Sequence, residues 1–418
     1  MRDDVRMRGF AERVDVEVVD RFLANHVRAL DGQAVSLLES HGRVLTEDVI
    51  SKTDVPGFRR SAMDGYALRG EESFGASAYD AIRLKIVGLS LPGAPYEGVL
   101  EKGDAIRIMT GAPVPDSADA VIKAEVCEEN DGEVLISEAV APQKNIGAIG
   151  EDIKRSESVL FAGRRLRPQD VGLLASIGCA SVTCVRRPRI RLVVTGDELL
   201  PAGSTPTGSQ IVDSNSVVLR GLVARDGGQA MPFEIIPDIP ERIRKAMDDT
   251  DADVVLVSGG TSVGQEDHAP RLLSELGELD FHGISMRPSS PTGIGRIGSS
   301  FVFLLPGNPV SCLAAYEFFA GPTIRRLGGR NPDWPHRRAL VPLARKIVSE
   351  VGRTDYVRVA IEQGRAHPLA TSGASILSST VRAAGAVIVP RELEGMGEGE
   401  RVSVLLYDEE ATAEGTEI

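Results

Sequence analysis

The chain has 418 residues and a formal net charge of -13, with 42% hydrophobic and 26% charged residues. This composition is that of a globular protein, and the length predicts about two to four domains. The negative charge argues against a nucleic-acid surface, because such surfaces bind mainly by neutralising phosphates with Lys and Arg. A small anionic ligand is still compatible with it, since single Arg side chains and backbone N–H groups hold such ligands locally.

No leader or membrane segment is predicted. The first residues, MRDDVRMRGF, mix acids with bases and lead into no apolar region, and no apolar run approaches the roughly 18 residues of a membrane helix. We therefore expect a cytoplasmic protein without membrane contact. The cysteines show no C-x-x-C spacing and are interpreted as reduced, buried thiols. The histidines form no H-E-x-x-H motif, so any metal should be a hard cation on carboxylates.

The first half of the chain is predicted to begin with a helix and to become β-rich. Apolar residues recur at helical spacing over residues 17–30. From about residue 45 to 150, short apolar runs are broken by Gly and Pro, which predicts strands with frequent turns. Residues 153–187 mix strand, turn and helix signals. We predict that a β-rich domain, residues 55–150, is inserted into a discontinuous N-terminal domain formed by residues 1–54 and 151–187.

The second half is predicted to contain two further domains. Residues 188–330 alternate short apolar strands with helices, one of them capped near Asp213 or Ser214 and another with Pro240 in its first turn. This alternation predicts a doubly wound parallel sheet. Residues 336–410 return to strand-like runs and predict a small β barrel or sandwich. The predicted fold class is thus multidomain, with a central α/β domain, an inserted β-rich domain and a C-terminal β domain.

Unusual loops follow the predicted strands of the α/β domain. They are TGDEL (195–199), SGGTSVGQED (258–267), MRPSSPTG (286–293) and LPGNPVS (305–311). The carboxyl ends of parallel strands share one edge of a sheet, and ligands bind at that edge. We therefore expect these loops to converge on a binding site.

Each loop has a structural and a functional interpretation. Gly259, Gly260 and Gly264 either permit tight turns or let backbone N–H groups approach a phosphate. Their spacing matches neither the dinucleotide nor the P-loop pattern. Most loop carboxylates are solvated or cap helices, but Glu198 and Asp267 at one edge would also suit Mg²⁺.

Other candidates are equally open at this level. Arg287 is either an ordinary surface arginine or a planar fork for an oxyanion. Pro306 and Pro309 are expected to fix the loop before the last helix of the α/β domain. Asp64, within PGFRRSAMDGYALRG, either makes an Asx-type turn or belongs to a functional loop.

Several long motifs together carry a resemblance. SAMDGYA, RIMTGAPVP, GEDI, TGDEL, SGGTSVGQED, MRPSSP and LPGNPVS, in this order and at these distances, resemble the motif series of the MoeA family, which includes the gephyrin E domain. GRTDYVRV and SGASILSSTVRAAGAVIVP resemble the last domain of that family. The α/β block alone is less decisive, because the adenylating enzyme of the same pathway and CinA-like proteins share its fold. SAMDGY and the C-terminal domain favour the molybdotransferase.

The resemblance implies a molybdopterin molybdotransferase, which inserts molybdate into adenylated molybdopterin and releases AMP with the help of Mg²⁺ or a similar divalent cation. It also implies an elongated homodimer of four subdomains, in which the N-terminal domain serves in linking and dimerisation. The molybdopterin adenylyltransferase that supplies the substrate is an expected partner, and nucleic acid is not.

Matching the motifs residue by residue assigns roles to positions of this chain. The implied catalytic residues are Asp64, Glu198, Asp238 and Asp267. Of these, Asp64, Glu198 and Asp267 are the implied cation ligands. The implied residues for the substrate and the oxyanion are Thr110, Asp152, Gly259, Gly260, Ser262, Gly264, Arg287, Ser290, Pro306, Pro309, Ser311 and Arg358, with Arg353 as a further candidate.

One loop departs from the family. Where the family usually carries K-P-G-K-P, this chain has Arg287-Pro288-Ser289-Ser290-Pro291. The first positive charge is kept as Arg and the second is lost, which weakens the oxyanion site or changes its preference, for instance towards tungstate. Two alternative functions stay open: a molybdopterin adenylyltransferase, which shares the α/β fold, and a gephyrin-like scaffold without enzymatic activity, to which the lost lysine would point.

Overall fold

A computed structural model describes residues 12–248, 251–261, 267–370 and 374–408. The chain divides into two compact units. The smaller unit comprises residues 34–41 and 45–184, and the larger unit comprises residues 1–33, 42–44 and 185–418. Ser262 and Gly264 lie outside the described residues.

The helices named from the sequence are present, and the short helix Ser378–Arg382, in the part predicted to be β structure, is an addition. The first helix ends at His26 rather than near residue 30, and the helix after Ser214 begins at Asn215. The α-helices are Val16–His26, Pro168–Ser176, Asn215–Arg225, Pro240–Met247, Ala269–Leu276, Pro309–Ala315, Gly321–Leu327 and Ser378–Arg382. Shorter helical turns are Leu37–Glu39, Gly70–Ser73, Ala124–Val126 and the π turn Tyr316–Ala320.

A mixed sheet forms the centre of the α/β part of the larger unit. Its strands run in the order Gln229–Ala230, Arg189–Thr195, Val254–Ser258, Ser300–Leu305, Gly293–Ile297 and Glu278–His282, and Ile235–Ile236 also pairs with Arg189–Thr195. The strands up to Ser300–Leu305 are parallel, and the last two are antiparallel. The predicted parallel sheet thus carries an antiparallel hairpin at one edge, where the chain turns at Gly298.

Helices cover both faces of this sheet, as a doubly wound fold requires. Along its strands, alternate side chains point to opposite faces: Leu192, Leu256 and Phe303 enter one core, whereas Val193 and Val257 enter the other. The first core receives the helices Val16–His26, Asn215–Arg225, Pro309–Ala315 and Gly321–Leu327, and the second receives Pro240–Met247 and Ala269–Leu276. The predicted fold class is confirmed.

The C-terminal part of the larger unit is a closed β barrel. Thr354–Glu362 pairs on one side with Arg365–Ala370 and on the other with Gly385–Val389. The circuit continues through Arg401–Leu406 to Arg338–Pro342, and a bridge between Leu343 and Ala366 closes it. Met286–Arg287 extends this sheet beside Thr354–Glu362, and the pair Ile347–Val348 and Gly395–Met396 flanks it.

The smaller unit is rich in β structure, as predicted. Its main sheet has the order Ala120–Lys123, Gly65–Leu68, Asp104–Ile108, Ile82–Ser90, Glu133–Ile136 and Cys127–Asn130. Short pairs join Arg60–Ser61 to Ile146–Gly147 and Val49–Ile50 to Ser158–Leu160. A separate core packs Val35 and Leu45, from the first residues of the unit, against Leu160 and Leu174, which come late in its sequence. The remaining short strands of the chain are Gly32–Ser36, Ser181–Val185, Leu199–Leu200 and Ile211–Val212.

Within the described residues, no helix is both long and apolar enough to cross a membrane.

Candidate functional site

A cavity of about 510 Å³ lies at the carboxyl edge of the α/β sheet. The ends of Arg189–Thr195 and Val254–Ser258 and the loop after Ser300–Leu305 all reach it. Three of the loops expected to converge therefore do so. The ligand-binding edge of an open α/β sheet is where such a cavity is expected.

The fourth loop lies elsewhere. Its strand, Met286–Arg287, pairs in parallel with Thr354–Asp355 and so belongs to the barrel sheet. The sequence prediction that MRPSSPTG follows a strand of the α/β sheet was wrong. A two-residue strand carries too little pattern to reveal which sheet it joins.

Glycines give the cavity a floor of bare backbone. Gly259 has a φ of +102°, and a Cβ atom there would lie 2.2 Å from the carbonyl oxygen of Thr195. Gly260 follows with a φ of +57°. No other residue type fits position 259, because it would meet backbone rather than a flexible side chain. Gly259 and Gly260 thus permit the turn and leave bare backbone at the cavity. That this backbone binds a phosphate stays a prediction.

Acidic side chains surround this floor. Glu198, Asp238 and Asp267 line the cavity. Asp238 is held from two sides: its carboxylate accepts a short hydrogen bond from the Thr195 hydroxyl, and its backbone N–H donates to Asp197 at 3.3 Å. These carboxylates make this part of the cavity wall acidic.

Asn215 ties the walls of the cavity together. It is largely buried at the start of the helix Asn215–Arg225, and its amide NH₂ donates to the Ser258 hydroxyl at 3.0 Å and to the Gly307 carbonyl at 2.8 Å. The ends of two neighbouring strands are thereby joined through one side chain. Sequence reasoning missed Asn215, because an Asn at the start of a helix is ordinarily read as a capping residue.

The loop after Ser300–Leu305 closes the cavity from another side. Pro309 lines it and begins the helix Pro309–Ala315, and Pro306 fixes the chain just before Gly307. Ser311 is buried in that helix, and its carbonyl accepts a 2.5 Å hydrogen bond from the Ser289 hydroxyl. The backbone of Ser311 thus links the α/β part to the MRPSSPTG loop.

Thr261 is pinned behind the glycines. The hydroxyl of Thr261 donates to the Leu305 carbonyl at 2.9 Å. The carbonyl oxygen of Thr261 lies 3.2 Å from the Nε2 atom of His282. Burial lowers the pKa of His282, although the hydrogen bond to Thr261 and the nearby Asp267 oppose that shift. The neutral ring therefore donates to Thr261 at neutral pH.

Asp64 and Thr110 meet in the smaller unit. The Asp64 carboxylate accepts hydrogen bonds from the backbone N–H of Thr110 at 2.7 Å and from its hydroxyl at 2.8 Å. These bonds lower the pKa of Asp64, so this exposed carboxylate stays ionised at neutral pH. Asp152 is also exposed, and its backbone N–H donates to Val55 at 3.1 Å.

The matches to known families cover most of the chain. Residues 14–178 match the MoeA N-terminal region (domains I and II), residues 191–326 match a probable molybdopterin-binding domain, and residues 341–407 match the MoeA C-terminal region (domain IV). The chain is 33% identical over 381 residues to the molybdopterin molybdenumtransferase of Haemophilus influenzae, covering 88% of this chain and 92% of that protein.

The chain belongs to the MoeA family.

Two archaeal proteins extend the comparison. A putative molybdopterin biosynthesis protein of Methanocaldococcus jannaschii is 32% identical over 95% of this chain and 96% of its own length. A crystal structure of the molybdopterin biosynthesis MoeA protein from Pyrococcus horikosii superimposes with a TM-score of 0.81 at 32% identity, covering 95% of this chain and all of that one. The likeness to MoeA proteins thus extends over the sequence and the fold alike.

The loop that departs from the MoeA pattern has a definite structure here. Arg287 forms an ion pair with Asp355, which is fully buried, and donates to the Val348 carbonyl at 3.1 Å. Asp355 also accepts hydrogen bonds from Ser349 at 2.8 Å and from Arg353 at 2.9 Å. Much of the Arg287 charge is therefore compensated within the barrel, and so is that of Arg353.

Ser289 and Ser290 of this loop differ from the MoeA pattern in residue type and in charge. Ser289 stands where the MoeA pattern has Gly and takes a φ of +83°, a region that non-glycine residues seldom occupy. Its hydrogen bond to Ser311 holds it there. The buried hydroxyl oxygen of Ser290, at the position of the lost lysine, has no hydrogen-bond partner among the described residues. An unsatisfied buried hydroxyl is costly, which suits a group that a ligand would satisfy.

Arg358 lies inside the barrel wall. It is only 2% exposed, and its Nη1 atom donates to the Ser379 hydroxyl at 2.5 Å. The sequence prediction named Arg358 but not Ser379. Burial lowers the pKa of Arg358 without removing its charge at neutral pH.

Proposed function

We propose that this chain is a molybdopterin molybdenumtransferase, which inserts an oxyanion of molybdenum into adenylated molybdopterin and releases AMP. The observation that carries the proposal is the cavity at the carboxyl edge of the α/β sheet, where Glu198, Asp238 and Asp267 surround the exposed backbone of Gly259 and Gly260. Membership of the MoeA family supports the same function.

The cavity suits the phosphate-containing part of such a substrate. Bare backbone at Gly259 and Gly260 lets N–H groups approach phosphate oxygens without a side chain between them. Asn215 and Thr195 hold the surrounding walls and Asp238 in fixed positions. Preorganised polar groups of this kind stabilise developing charge without having to reorient during the reaction.

Mg²⁺ fits the donor set of the cavity. It prefers oxygen ligands and takes one or two carboxylates together with substrate phosphate oxygens, and Glu198 and Asp267 offer such carboxylates. Within the described residues, no group of three acidic, His or Cys side chains forms a complete metal site, so substrate oxygens would have to complete the coordination. A bound Mg²⁺ would neutralise charge on the phosphates as AMP leaves. Asp64, the third ligand expected from the sequence, lies in the smaller unit, so its role as a ligand stays a prediction.

The oxyanion is assigned to the barrel side of the MRPSSPTG loop. Arg358 supplies a buried guanidinium and Ser290 a buried hydroxyl without a partner, and charge-assisted hydrogen bonds from Arg suit a tetrahedral dianion. Arg287 contributes less than the sequence suggested, because Asp355 already engages it.

The alternative functions fit less well. The adenylyltransferase alternative rests on the α/β domain, whereas this chain also matches the MoeA N- and C-terminal regions. A scaffold without activity would have no use for the acids around the cavity. We further propose that the enzyme is a cytoplasmic homodimer that receives its substrate from a molybdopterin adenylyltransferase. Sedimentation equilibrium tests the dimer, and co-purification tests the partner.

The function is tested by following AMP release from adenylated molybdopterin with purified protein and Mg²⁺. We expect release that depends on an oxyanion, with separate titrations of molybdate and tungstate giving the preference. ATP-dependent adenylation of molybdopterin by this protein would instead establish the adenylyltransferase. Failure to release AMP with either anion, despite pterin binding, would favour the scaffold.

A further inference from the structure

A segment of the barrel reaches the cavity of the α/β part. The segment Ala374–Ser379 follows the strand Arg365–Ala370 and leads into the short helix Ser378–Arg382. Ser375 in this segment lines the cavity together with Asn308 and Pro309 of the α/β part. One wall of the candidate substrate site is therefore supplied by a different part of the larger unit.

Backbone contacts fix the near end of this segment. The N–H of Val310 donates to the carbonyl of Ala374 at 2.9 Å. Val310 lies in the first turn of the helix Pro309–Ala315, whose N–H groups have no acceptor within the helix. The N–H of Leu377 donates in turn to the carbonyl of Ser375 at 3.1 Å. The position of Ser375 at the cavity thus depends on main-chain hydrogen bonds on both sides of it.

The far end of the same segment holds Arg358. Ser379 is 2% exposed, its hydroxyl donates to the Ile376 carbonyl at 2.5 Å, and it accepts the hydrogen bond from Arg358. Only four positions separate Ser379 from Ser375. One short stretch of chain therefore borders the cavity and also holds the guanidinium assigned to the oxyanion.

We propose that Ser375 contacts the pterin substrate in the cavity and is a specificity-determining residue contributed by the barrel. The inference rests on the proposed function and deepens it. A serine hydroxyl both donates and accepts hydrogen bonds, and the exposed Ser375 side chain is available to a polar group of the substrate. A large side chain at this position would reduce the cavity from the barrel side.

The test compares Ser375→Tyr and Ser375→Ala with Val381→Tyr. Val381 is 82% exposed on the next turn of the chain and does not line the cavity, so its variant controls for a bulky surface residue. Steady-state AMP release gives KM for adenylated molybdopterin and, separately, KM for molybdate. We expect Ser375→Tyr to raise KM for the pterin substrate about tenfold or more and Ser375→Ala to raise it about threefold, in line with the loss of one hydrogen bond.

Both Ser375 variants should leave KM for molybdate within about twofold, because the Ser379–Arg358 contact is retained. Thermal unfolding checks that each variant is folded. If Ser375→Tyr does not fold, the KM of Ser375→Ala for the pterin substrate decides whether Ser375 contacts that substrate. An unchanged pterin KM in a folded Ser375 variant, or an equal rise with Val381→Tyr, would overturn the proposal. Wild-type protein without AMP release would overturn the proposed function instead, so the two failures are distinguishable.

Discussion

Two clusters of carboxylates in the α/β part differ in how their negative charge is compensated. Beneath the helices, Asp226 and Glu317 are almost fully buried and are matched by Arg225 and Arg325, with hydrogen bonds from Tyr316 and His336. At the cavity, the carboxylate of Asp238 is held by an uncharged hydroxyl, that of Thr195. The buried cluster neutralises itself, whereas the cavity cluster offers negative charge to a ligand.

The comparison separates structural from functional carboxylates. In the buried cluster, arginine and histidine keep the pKa of Glu317 at about 2 even though burial opposes this. Removing one partner there would leave a buried charge without compensation. Removing a carboxylate at the cavity would leave the fold intact and weaken the binding of a cation or substrate.

The largest expected effect is on stability. Glu317→Ala should lower the free energy of unfolding by about 3–5 kcal/mol, because His336 loses its buried carboxylate and Arg225 loses one of two. Urea unfolding measures the change. Glu275→Ala is the matched control, since Glu275 pairs with arginines at the surface, and exposed pairs contribute less than about 1 kcal/mol. Equal losses of unfolding free energy in the two variants would mean that the buried ion pairs contribute no more to stability than the surface pairs.

The second effect is on turnover. Glu198→Gln should reduce kcat for AMP release by about 100-fold or more, the scale of losing one preorganised electrostatic group. Its unfolding free energy should change by less than about 0.5 kcal/mol, because Glu198 is exposed. Glu241→Gln, on the exposed first turn of Pro240–Met247, is the control and should retain full activity. A fully active Glu198→Gln enzyme would mean that the cavity acids do not serve the reaction.

The third effect divides between binding and stability. Asn215→Ala removes the hydrogen bonds that join Ser258 and Gly307, and should raise KM for the pterin substrate about tenfold while lowering stability by about 1–3 kcal/mol. Ser300→Ala is the matched control. The Ser300 hydroxyl donates to the Ala252 carbonyl at the amino ends of the strands Val254–Ser258 and Ser300–Leu305, away from the cavity. This control should lower stability and leave KM unchanged. A raised KM in both variants would indicate a general loosening of the sheet.

The smallest effect is on the pH dependence of stability. Burial lowers the pKa of His282 below its ordinary value of 6.5, so the folded state binds fewer protons there than the unfolded chain. The stabilisation from His282 should therefore be complete above about pH 6.5 and lost as the pH falls through the lowered pKa. Comparing unfolding free energies of wild type and His282→Gln between pH 7.5 and about pH 5 tests this. The wild type should lose more than the variant, and parallel curves would contradict the assignment.

The sequence predicted the secondary structure and much of the site for clear physical reasons. Apolar periodicity, with Pro240 in the first turn of a helix, predicted the elements of the α/β part. Pro309 was expected in the loop before the last helix, whereas it begins the helix Pro309–Ala315. The rule that parallel strands end at one edge brought Glu198, Gly259 and Asp267 to one cavity. That rule requires strands of one sheet, and it failed for Arg287, whose short strand joins the barrel.

Tertiary contacts account for what the sequence did not reveal. The ion pair of Arg287 with Asp355 joins residues 68 positions apart, and no local pattern specifies it. The same holds for Asn215, which acts through Ser258 and Gly307, and for Ser375, which reaches the cavity from the barrel. The resemblance named Asp64 and Thr110 as separate motif residues, whereas the structure joins them by two hydrogen bonds.

The most direct test of the account measures metal transfer itself. Purified protein is incubated with adenylated molybdopterin, Mg²⁺ and molybdate, and the AMP released is compared with the molybdenum bound to the isolated pterin. The account predicts equal molar amounts of both products, and little of either with Glu198→Gln. AMP release without molybdenum on the pterin, or undiminished transfer by Glu198→Gln, would contradict it.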